Sequence, residues 1–369
     1  MLQHIKHIAT VLTFLLTLAI FTVLCLVRMK NPTTYSDVEK RPLALPPRDV
    51  SLSSLIDKSS IEQFEDFSVD QFPFREPFRA IKASVTLHVF NQKQNNGYAI
   101  ENGSIAQIKS AFDSSCIDRS IGRLSYIIER YLTNNGGQIY FALIPDKNYY
   151  FSQQYGYPSP DYETLVHRLQ TELPTADWID LFSVLSLEDY YLTDWHWDQS
   201  RLGGVLSAIA QQMEFTGRLP ADYTSHTLSP FYGGYYDQSA LYPPPEPLTY
   251  LRNNVIDALT VYNYATGKTN GVYHPELFDS GTSYDFFMEG LQGLQRIDNP
   301  LAQSDRELIV FRDSYASPLL PLIAQAYRTV YVVDIRNVLP GALGGLLEFE
   351  GKDVLFLYST TVLDSNSFK

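Results

Sequence analysis

The first residue whose position suggests chemistry is a serine at the end of a short apolar run. Residues 307–311 are almost continuously apolar, the pattern of a strand buried on both faces, and the run ends at Arg312-Asp313-Ser314. A serine between a buried strand and the start of a helix exposes its hydroxyl at a sheet edge, close to unpaired backbone N–H groups. The nucleophiles of α/β hydrolytic and acyl-transfer enzymes lie in that position. Ser314 would equally suit a helix cap, so this stretch alone leaves both interpretations open.

A second stretch, residues 191–197, places an acid two residues before a histidine. In an extended segment such residues point to the same side, so Asp194 would orient the His196 imidazole and leave its other ring nitrogen free to act as a base. Trp195 and Trp197 would then point the opposite way and pack. The alternative is an aspartate that caps a helix and a histidine that is satisfied beside packed tryptophans. No His/Asp/Glu spacing in the chain is typical of metal ligands, so we expect no metal and no cofactor.

Composition narrows the classes of function. The chain has 369 residues, of which 45% are hydrophobic and 14% aromatic, enough for one large domain or two ordinary ones. Its formal net charge of −13 repels phosphate backbones, so we expect no nucleic-acid partner. Cys25 and Cys116 are too few for a disulfide framework or a cysteine-based zinc site. The 26 tyrosines suit a carbohydrate-facing groove, although core and interface packing is their commoner explanation.

The first thirty residues have the pattern of a membrane anchor. Residues 8–27 carry no charge and are long enough to cross a bilayer as a helix. Arg28-Met29-Lys30 follows where a secreted protein would have a small-residue cleavage site, so we expect residues 1–30 to remain attached as a single-pass anchor. Basic residues flank both ends of the run, and the flanking charge therefore leaves the orientation open.

After the anchor, the sequence predicts a lead-in segment and a larger domain. Residues 31–95 predict a proline-containing linker and then a helical segment with a break at residues 72–75. From residue 96 to residue 369, strands alternate with helices, which favours a doubly wound, mostly parallel sheet with flanking helices. Motifs that follow strands, such as Asp146-Lys147 and Ser314, would then share one crevice. The predicted strands of the sheet are residues 138–144, 178–182, 307–311, 329–334 and 354–358.

Two local expectations concern the same domain. An irregular or β insertion is expected around residues 225–290, and residues 255–264 within it are rich in β-branched and aromatic side chains typical of a strand. After Ser314, apolar residues at helical spacing predict a helix. Pro318 suits the first turn of that helix, and Pro321 predicts that it becomes regular only beyond residue 321.

At this point the motifs together resemble those of a known family. Thr193-Asp194-Trp195-His196-Trp197 resembles the signature of the DHHW family, relatives of the alginate O-acetyltransferases AlgX and AlgJ with SGNH-hydrolase-like catalytic domains. The resemblance runs in the family's order from about residue 30 to the C-terminus. Trp195 departs from the pattern, because the family's name has its first histidine there. The other matching motifs are residues 36–43, 70–75, 144–147, 231–234, 312–316 and 333–336.

The resemblance implies a fold and a set of site residues. It implies an SGNH-hydrolase-like domain in which Asp194, His196 and Ser314 form the catalytic triad. The Ser314 backbone N–H, with a second donor from Gly233 or Gly234, would stabilise the oxyanion. Lys147 and Tyr315 are expected in the same crevice, as substrate-binding residues.

The resemblance also implies a function. It implies a membrane-anchored enzyme, with its domain outside the cell, that moves or removes an acetyl group on a cell-envelope polysaccharide. Transferase and esterase differ only in whether sugar or water accepts the acyl group, so the triad leaves both open. A membrane-bound protein that supplies the acyl group is compatible with this activity as a partner. The alternative is a catalytically inactive glycan-binding or envelope-assembly protein that keeps the fold.

Overall fold

The computed structural model describes residues 2–36, 38, 41–47, 51, 53–54, 58–220, 222–278 and 283–368, with the side chains of residues 2–4 and 283 excepted. The chain divides into two compact units, one of residues 1–95 with 237–242, and one of residues 96–236 with 243–369. Parts of several sequence predictions lie outside the described residues. They are Met1 of the anchor, residues 37, 39, 40, 48–50, 52 and 55–57 of the segment 31–95, and residues 221, 279–282 and 369 of the domain 96–369. Residues 37, 39 and 40 also belong to the motif at 36–43, and residues 279–282 to the insertion.

The first unit begins with a long apolar helix. Residues 5–30 of this helix are long and apolar enough to cross a membrane, judged by length and composition. The helical segment predicted before residue 90 is present, and its break falls at residues 71–74, close to the prediction. The elements of this unit are helices α1 (Leu2–Lys30), α2 (Ser59–Asp70) and α3 (Arg75–His88), and the short strands β1 (Tyr35–Ser36), β2 (Arg41–Pro42) and β3 (Gln94–Asn95).

A carboxylate at the end of α2 binds the extended chain of residues 41–44 that precedes this helix. Asp70 accepts hydrogen bonds from both terminal nitrogens of Arg41, at 2.8 and 2.6 Å, and from the backbone N–H of Ala44 at 2.9 Å. Arg75 lies 3.4 Å from the same carboxylate. The next side chain, Gln71, donates to the carbonyls of Thr33 and Ala44 and accepts from the Thr33 N–H. The motif at residues 70–75 therefore ties the extended residues 33–36 and 41–44 to the end of α2.

The second unit is built on a mixed sheet. Within the described residues, eight strands follow the order β11-β10-β12-β14-β13-β15-β6-β7. The run β14-β13-β15-β6-β7 is parallel, and β12, β10 and β11 extend it by antiparallel pairing. The predicted mostly parallel sheet is therefore confirmed. Its strands are β6 (Ile139–Ile144), β7 (Asp177–Ile179), β10 (Thr260–Asn263), β11 (Lys268–Asn270), β12 (Leu294–Asp298), β13 (Glu307–Arg312), β14 (Thr329–Val333) and β15 (Asp353–Ser359).

Both faces of the sheet are covered. On β13, Leu308 and Val310 pack into one apolar cluster, whereas Ile309 and Phe311 pack into another on the opposite face. This is why the strand is apolar at successive positions. Helices of the unit are α4 (Ser114–Ile127), α5 (Lys147–Tyr155), α6 (Tyr162–Glu172), α7 (Gly203–Gln212), α8 (Gly234–Ser239, of which residues 234–236 belong to this unit), α9 (Asn254–Ala258), α10 (Leu320–Ala324) and α11 (Thr360–Leu363). The strands outside the sheet are β4 (Tyr98–Glu101), β5 (Ser104–Gln107), β8 (Thr224–Phe231) and β9 (Glu246–Arg252).

Two local predictions were wrong. Residues 255–264 are not one strand, because the Asn253 side chain accepts from the N–H groups of Val255 and Ile256 and so starts α9 before β10. After Ser314 the chain forms a 3₁₀ turn over Ser314–Ala316, and α10 begins only at Leu320. Pro321 therefore lies in the first turn of α10, where its missing N–H costs nothing, and Pro318 precedes the helix.

The Asp70 contacts generate a prediction about pH. The hydrogen bonds from Arg41 hold the pKa of Asp70 below its ordinary value of 3.8, against the opposing effect of burial. A carboxyl with a lowered pKa stabilises the folded state above its ordinary pKa, and that contribution is lost as the pH falls through the folded value. Asp70→Asn should therefore weaken hydrogen-exchange protection of the Ala44 amide at pH 7 by about 1.5–3 kcal/mol.

The difference between Asp70→Asn and the wild type should shrink as the pH drops below 4. The exposed Asp66→Asn on the same helix serves as the control and should leave Ala44 protection unchanged. Equal protection of Ala44 in Asp70→Asn and in the wild type at pH 7 would show that the carboxylate does not hold this segment.

Candidate active site

Ser314 is held at the edge of the sheet by a buried aspartate. β13 ends at Arg312, and the side chain of the next residue, Asp313, accepts the Tyr315 N–H at 2.9 Å, which begins the turn that carries Ser314. The other oxygen of Asp313 accepts the backbone N–H and the hydroxyl of Ser359, at 2.7 and 2.6 Å, where the neighbouring strand β15 ends. One carboxylate therefore fixes the serine turn relative to the adjacent strand, and Ser314 itself remains partly exposed.

Three side chains from distant parts of the chain form one line of hydrogen bonds. The Ser314 Oγ lies 2.8 Å from the His196 Nε2, and the His196 Nδ1 lies 2.6 Å from the Asp194 Oδ1. A carboxylate only accepts hydrogen bonds, so Nδ1 carries the proton and the lone pair of Nε2 faces the serine. This arrangement can take a proton from the hydroxyl of Ser314 and return it.

The Asp194 carboxylate is buried and satisfied by further donors. Its Oδ1 also accepts the backbone N–H of His196 at 2.8 Å, and its Oδ2 accepts the N–H of Gly234 at 2.7 Å. Burial acts to raise the pKa of Asp194, but the neighbouring His196 and these hydrogen bonds outweigh it, and the pKa lies below its ordinary value. The group therefore stays ionised at neutral pH.

Aromatic rings fix the plane of the imidazole. The Tyr284 ring stacks on His196 with 3.8 Å between centroids and 5° between planes, and the Tyr315 ring lies 4.9 Å away at a tilt. Burial raises the pKa of Tyr284, so its phenol is neutral. With Asp194 at one nitrogen and a ring on its face, the imidazole has little freedom to turn away from Ser314.

Lys147 acts on the backbone of the segment that carries Asp194. Its ammonium donates to the carbonyls of Tyr191, Leu192 and Asp194, at 2.6, 2.8 and 3.3 Å. Burial lowers the pKa of Lys147, while the charges of Glu246 and Asp194 oppose the shift. The side chain lies against the backbone of Asp194 and is 1% exposed, so it offers no exposed atom for the expected substrate-binding role.

Glu246 holds the same segment through its N–H groups. Its carboxylate accepts from the backbone of Leu192 and Thr193, at 2.8 and 2.7 Å, and from the Thr193 hydroxyl at 3.0 Å. Lys147 and Glu246 therefore act on one stretch of backbone, the cation on its carbonyls and the anion on its N–H groups.

Tyr315 also differs from the expectation. It is 2% exposed, its ring lies beside the imidazole on the protein side, and its carbonyl accepts the Trp197 Nε1–H at 2.6 Å. Tyr315 therefore lies beside the hydrogen bonds that join Asp194, His196 and Ser314, but its ring is buried in the protein instead of facing solvent. A substrate-binding role would require an exposed atom, which its buried side chain does not offer.

The two glycines predicted as oxyanion donors have other partners. The N–H of Gly233 donates to the Thr193 hydroxyl at 3.0 Å, and that of Gly234 donates to Asp194. A Cβ at Gly233 would lie 2.4 Å from the Cβ of Asp194, and one at Gly234 would lie 2.0 Å from the ring of Trp195. The glycines therefore allow the site segment to approach closely, and the prediction that they donate to an oxyanion is corrected.

Trp195 points toward the site, whereas the sequence predicted the opposite. Residues 190 and 197 pair across an isolated bridge, and the Tyr191 N–H donates to the His196 carbonyl at 3.0 Å, so the segment bends back instead of running extended. The indole Nε1 of Trp195 lies 3.0 Å from the His196 Nε2. Trp197 packs in the core as expected.

Several contributors to this site had no local signal in the sequence. Tyr284 and Glu246 lie far along the chain from Asp194, and each belongs to a stretch without a recognisable motif. Trp195 did carry a signal, since it stands where the DHHW pattern has a histidine. Among the described residues, no group of three or more His, Cys, Asp or Glu side chains is placed to hold a metal ion.

Solved structures with a similar fold support the expected relationship. No protein-family model and no curated protein matches the sequence. A DHHW family protein from Eubacterium siraeum DSM 15702 matches with a TM-score of 0.61 and 18% identity, over 74% of this chain and 94% of that one. Bacillus cereus PatB1, solved with a sulfonyl adduct, matches with a TM-score of 0.55 and 18% identity, over 74% and 97%.

A more distant match is the O-acetyltransferase domain of Pseudomonas putida AlgJ, with a TM-score of 0.44 and 14% identity, over 73% of this chain and 93% of that one. The structural neighbours thus include a DHHW family protein, a member of the family that the motifs resemble. The similarity to the first two structures establishes the fold, a mixed α/β domain on a mostly parallel sheet.

The contacts of Lys147 predict a structural role. Lys147→Met should leave three carbonyls without their donor and Glu246 without its nearby cation. We expect a loss of about 3–5 kcal/mol in the free energy of unfolding, because one partner of a buried charged arrangement is removed. Lys268→Met, on the exposed edge strand β11, is the control and should change stability by less than about 0.5 kcal/mol. Wild-type stability of Lys147→Met in urea titrations would contradict this role.

Proposed function

We propose that this protein is a serine acyltransferase or esterase that acts on acetyl groups of a cell-envelope polysaccharide. The observation that carries the proposal is the 2.8 Å contact between Ser314 Oγ and His196 Nε2, continued by the 2.6 Å contact to Asp194. The fold shared with a DHHW family protein supports it. The acetyl group and the glycan come from the resemblance of the sequence motifs to that family.

The proposed first half-reaction acetylates Ser314. Its Oγ attacks the acyl carbonyl while His196 Nε2 takes the hydroxyl proton, and the carbonyl π electrons move to the oxygen. Asp194 holds the imidazole in the correct tautomer and stabilises its positive charge. When the tetrahedral intermediate collapses, the bond to the donor oxygen breaks and His196 returns the proton to that oxygen. The products are acetyl-Ser314 and the free donor alcohol.

The second half-reaction uses the same groups in reverse. An acceptor hydroxyl loses its proton to His196, attacks the acetyl-serine carbonyl, and releases Ser314 with its proton restored. A sugar hydroxyl as acceptor gives a transferase, and water gives an esterase. A membrane-bound acyl-supplying protein would be the partner in the first half-reaction.

We further propose that the chain is a single-pass membrane protein with this domain outside the cell. The support is helix α1, whose residues 5–30 are apolar enough to cross a membrane and whose side chains are not buried by other parts of the chain. A polysaccharide of the cell envelope would then be within reach of Ser314.

The triad assignment predicts the effect of four variants. Ser314→Ala and His196→Ala should each abolish acetyl-ester turnover, and the double variant should be no worse, because the residues act as one unit. Asp194→Asn should lower kcat on the order of 10⁴-fold, since the tautomer is no longer enforced. Turnover of p-nitrophenyl acetate by the full-length protein is the measurement, and Ser207→Ala and His167→Ala, both at exposed helical positions, are the matched controls.

A sulfonyl fluoride provides an independent readout. It should label Ser314 in the wild type and fail to label the His196→Ala variant, as mass spectrometry of peptides would report. The sulfonyl adduct in the structure of PatB1 supports the choice of reagent. Full turnover by a folded Ser314→Ala variant would reject the enzyme and favour a catalytically inactive glycan-binding protein.

The anchor proposal has its own test. The mature protein should begin before residue 28, because no small-residue cleavage site follows the apolar run. N-terminal sequencing of protein isolated from membranes checks this, and a start beyond residue 28 would mean that the helix is removed. A C-terminal reporter should be active only outside the cell membrane; activity confined to the cytoplasm would reverse the orientation.

A further inference from the structure

Two donors lie within reach of a single acceptor at the centre of the site. The His196 Nε2 has the Ser314 Oγ at 2.8 Å and the Trp195 Nε1 at 3.0 Å. With its other nitrogen protonated toward Asp194, the neutral imidazole offers one lone pair at Nε2. The indole N–H cannot act as an acceptor, so it can only compete with the serine hydroxyl for that lone pair.

We propose that the Trp195 indole N–H is an oxyanion donor for the acyl transfer. The inference rests on the proposed function and adds a catalytic residue to it. Both Trp195 Nε1 and Ser314 Oγ contact the same nitrogen, so the indole N–H lies beside the point where an acyl carbonyl carbon would bond to Oγ. The negative charge of the tetrahedral intermediate develops on the oxygen of that carbonyl, one bond from this carbon.

The proton transfer itself makes the donor available. In the resting site the indole N–H has an acceptor in Nε2. When Nε2 takes the Ser314 proton, its lone pair is used, and the indole N–H loses that acceptor. In the same step the oxyanion forms, and the N–H can donate to it instead. When His196 gives up its proton and the carbonyl re-forms, Nε2 can again accept the indole N–H.

Gly234 and Tyr235 pack against the indole of Trp195 and fix its position. The benzo edge of the indole lies over Gly234, where a Cβ would come within 2.0 Å of it, and the Tyr235 ring meets it edge-on at 5.4 Å. Trp195 is partly exposed, unlike His196, so part of this residue is open to a substrate. A ring held against backbone and a second aromatic ring is preorganised, which electrostatic stabilisation of a transition state requires.

The two glycines expected to supply the second oxyanion donor have other partners. The N–H groups of Gly233 and Gly234 are bound to Thr193 and Asp194, acceptors that do not change during the reaction. The Ser314 backbone N–H donates to no acceptor within the described part of the chain. Trp195 would thus act as the second donor beside the Ser314 N–H.

The test removes the indole N–H and keeps the ring. Replacing Trp195 by β-(3-benzothienyl)alanine substitutes sulfur for N–H in a side chain of nearly the same shape, and Trp195→Phe is the simpler second variant. Each should lower kcat for p-nitrophenyl acetate by about 10²-fold or more, the usual effect of losing one oxyanion donor, with KM little changed. Trp178, whose ring stacks on Phe141 in the core, receives the same replacements as the matched control.

A thionoester comparison separates oxyanion stabilisation from a structural role. Sulfur accepts hydrogen bonds poorly, so the wild type should favour phenyl acetate over phenyl thionoacetate strongly. The Trp195 variants should lose much of that preference, because they have lost a donor to the oxygen. A variant that is slower on both esters by the same factor would mean that Trp195 only supports the fold. A variant that is faster would mean that the indole N–H merely blocks the base.

The two proposals fail in different ways. If Ser314→Ala keeps full turnover, the serine enzyme itself is wrong. If Ser314 is required and the benzothienyl variant retains wild-type kcat and thionoester preference, only the role of Trp195 is rejected. Labelling of Ser314 by the sulfonyl fluoride in each Trp195 variant checks that the nucleophile is still formed.

Discussion

The site depends on the burial of one carboxylate. An ionised group removed from water must be compensated by hydrogen bonds, and Asp194 obtains them from His196, through both the ring and the backbone, and from Gly234. Each donor imposes a condition on the chain. The backbone N–H of His196 requires a bend at Asp194, and the N–H of Gly234 requires a close approach that a Cβ would prevent. The position of His196, and so of the nitrogen that the Ser314 Oγ contacts, follows from satisfying this charge.

A pair of buried charged side chains, Lys147 and Glu246, supports the Asp194 segment without contacting the reacting atoms. Lys147 and Glu246 bind the carbonyls and N–H groups of residues 191–194, so the segment that presents Asp194 is held from both of its polar sides. Buried charges are costly, and a hydrophobic replacement of the pair could keep the domain stable. Such a replacement would remove the hydrogen bonds that fix the backbone of residues 191–194, which have no regular secondary structure. Lys147 follows β6 and therefore ties the bent segment to the parallel sheet.

The sequence predicted the sheet better than it predicted the site. A strand buried on both faces is apolar at successive positions, and β13, β14 and β15 could be recognised for that reason. The prediction of a strand over residues 255–264 was wrong because the capping side chain of Asn253 outweighed the β propensity of its neighbours. The sequence predicts that an extended segment pairs Asp194 with His196, whereas in the structure a bend brings them together. The same bend turned Trp195 toward the site. Glycines in a sequence signal close approach or unusual backbone, but they do not identify the neighbour, which is Asp194 at Gly233 and the ring of Trp195 at Gly234.

The burial of His196 affects how an acyl acceptor, whether a sugar or water, could reach the site. His196 is 3% exposed, with the Tyr284 ring stacked on its face and the rings of Tyr315 and Trp195 at its edges, whereas Ser314 is partly exposed. On the proposed mechanism, any acceptor must be deprotonated by Nε2 while it attacks the carbonyl carbon on Ser314 Oγ. Water and a sugar hydroxyl must therefore reach the same nitrogen, which Ser314 and the indole of Trp195 both contact. The three hydrogen-bonded side chains treat both acceptors alike, since they recognise only a hydroxyl proton. On the proposed function, selection for a glycan over water comes from groups other than these three side chains, which hold the sugar long enough to exclude water.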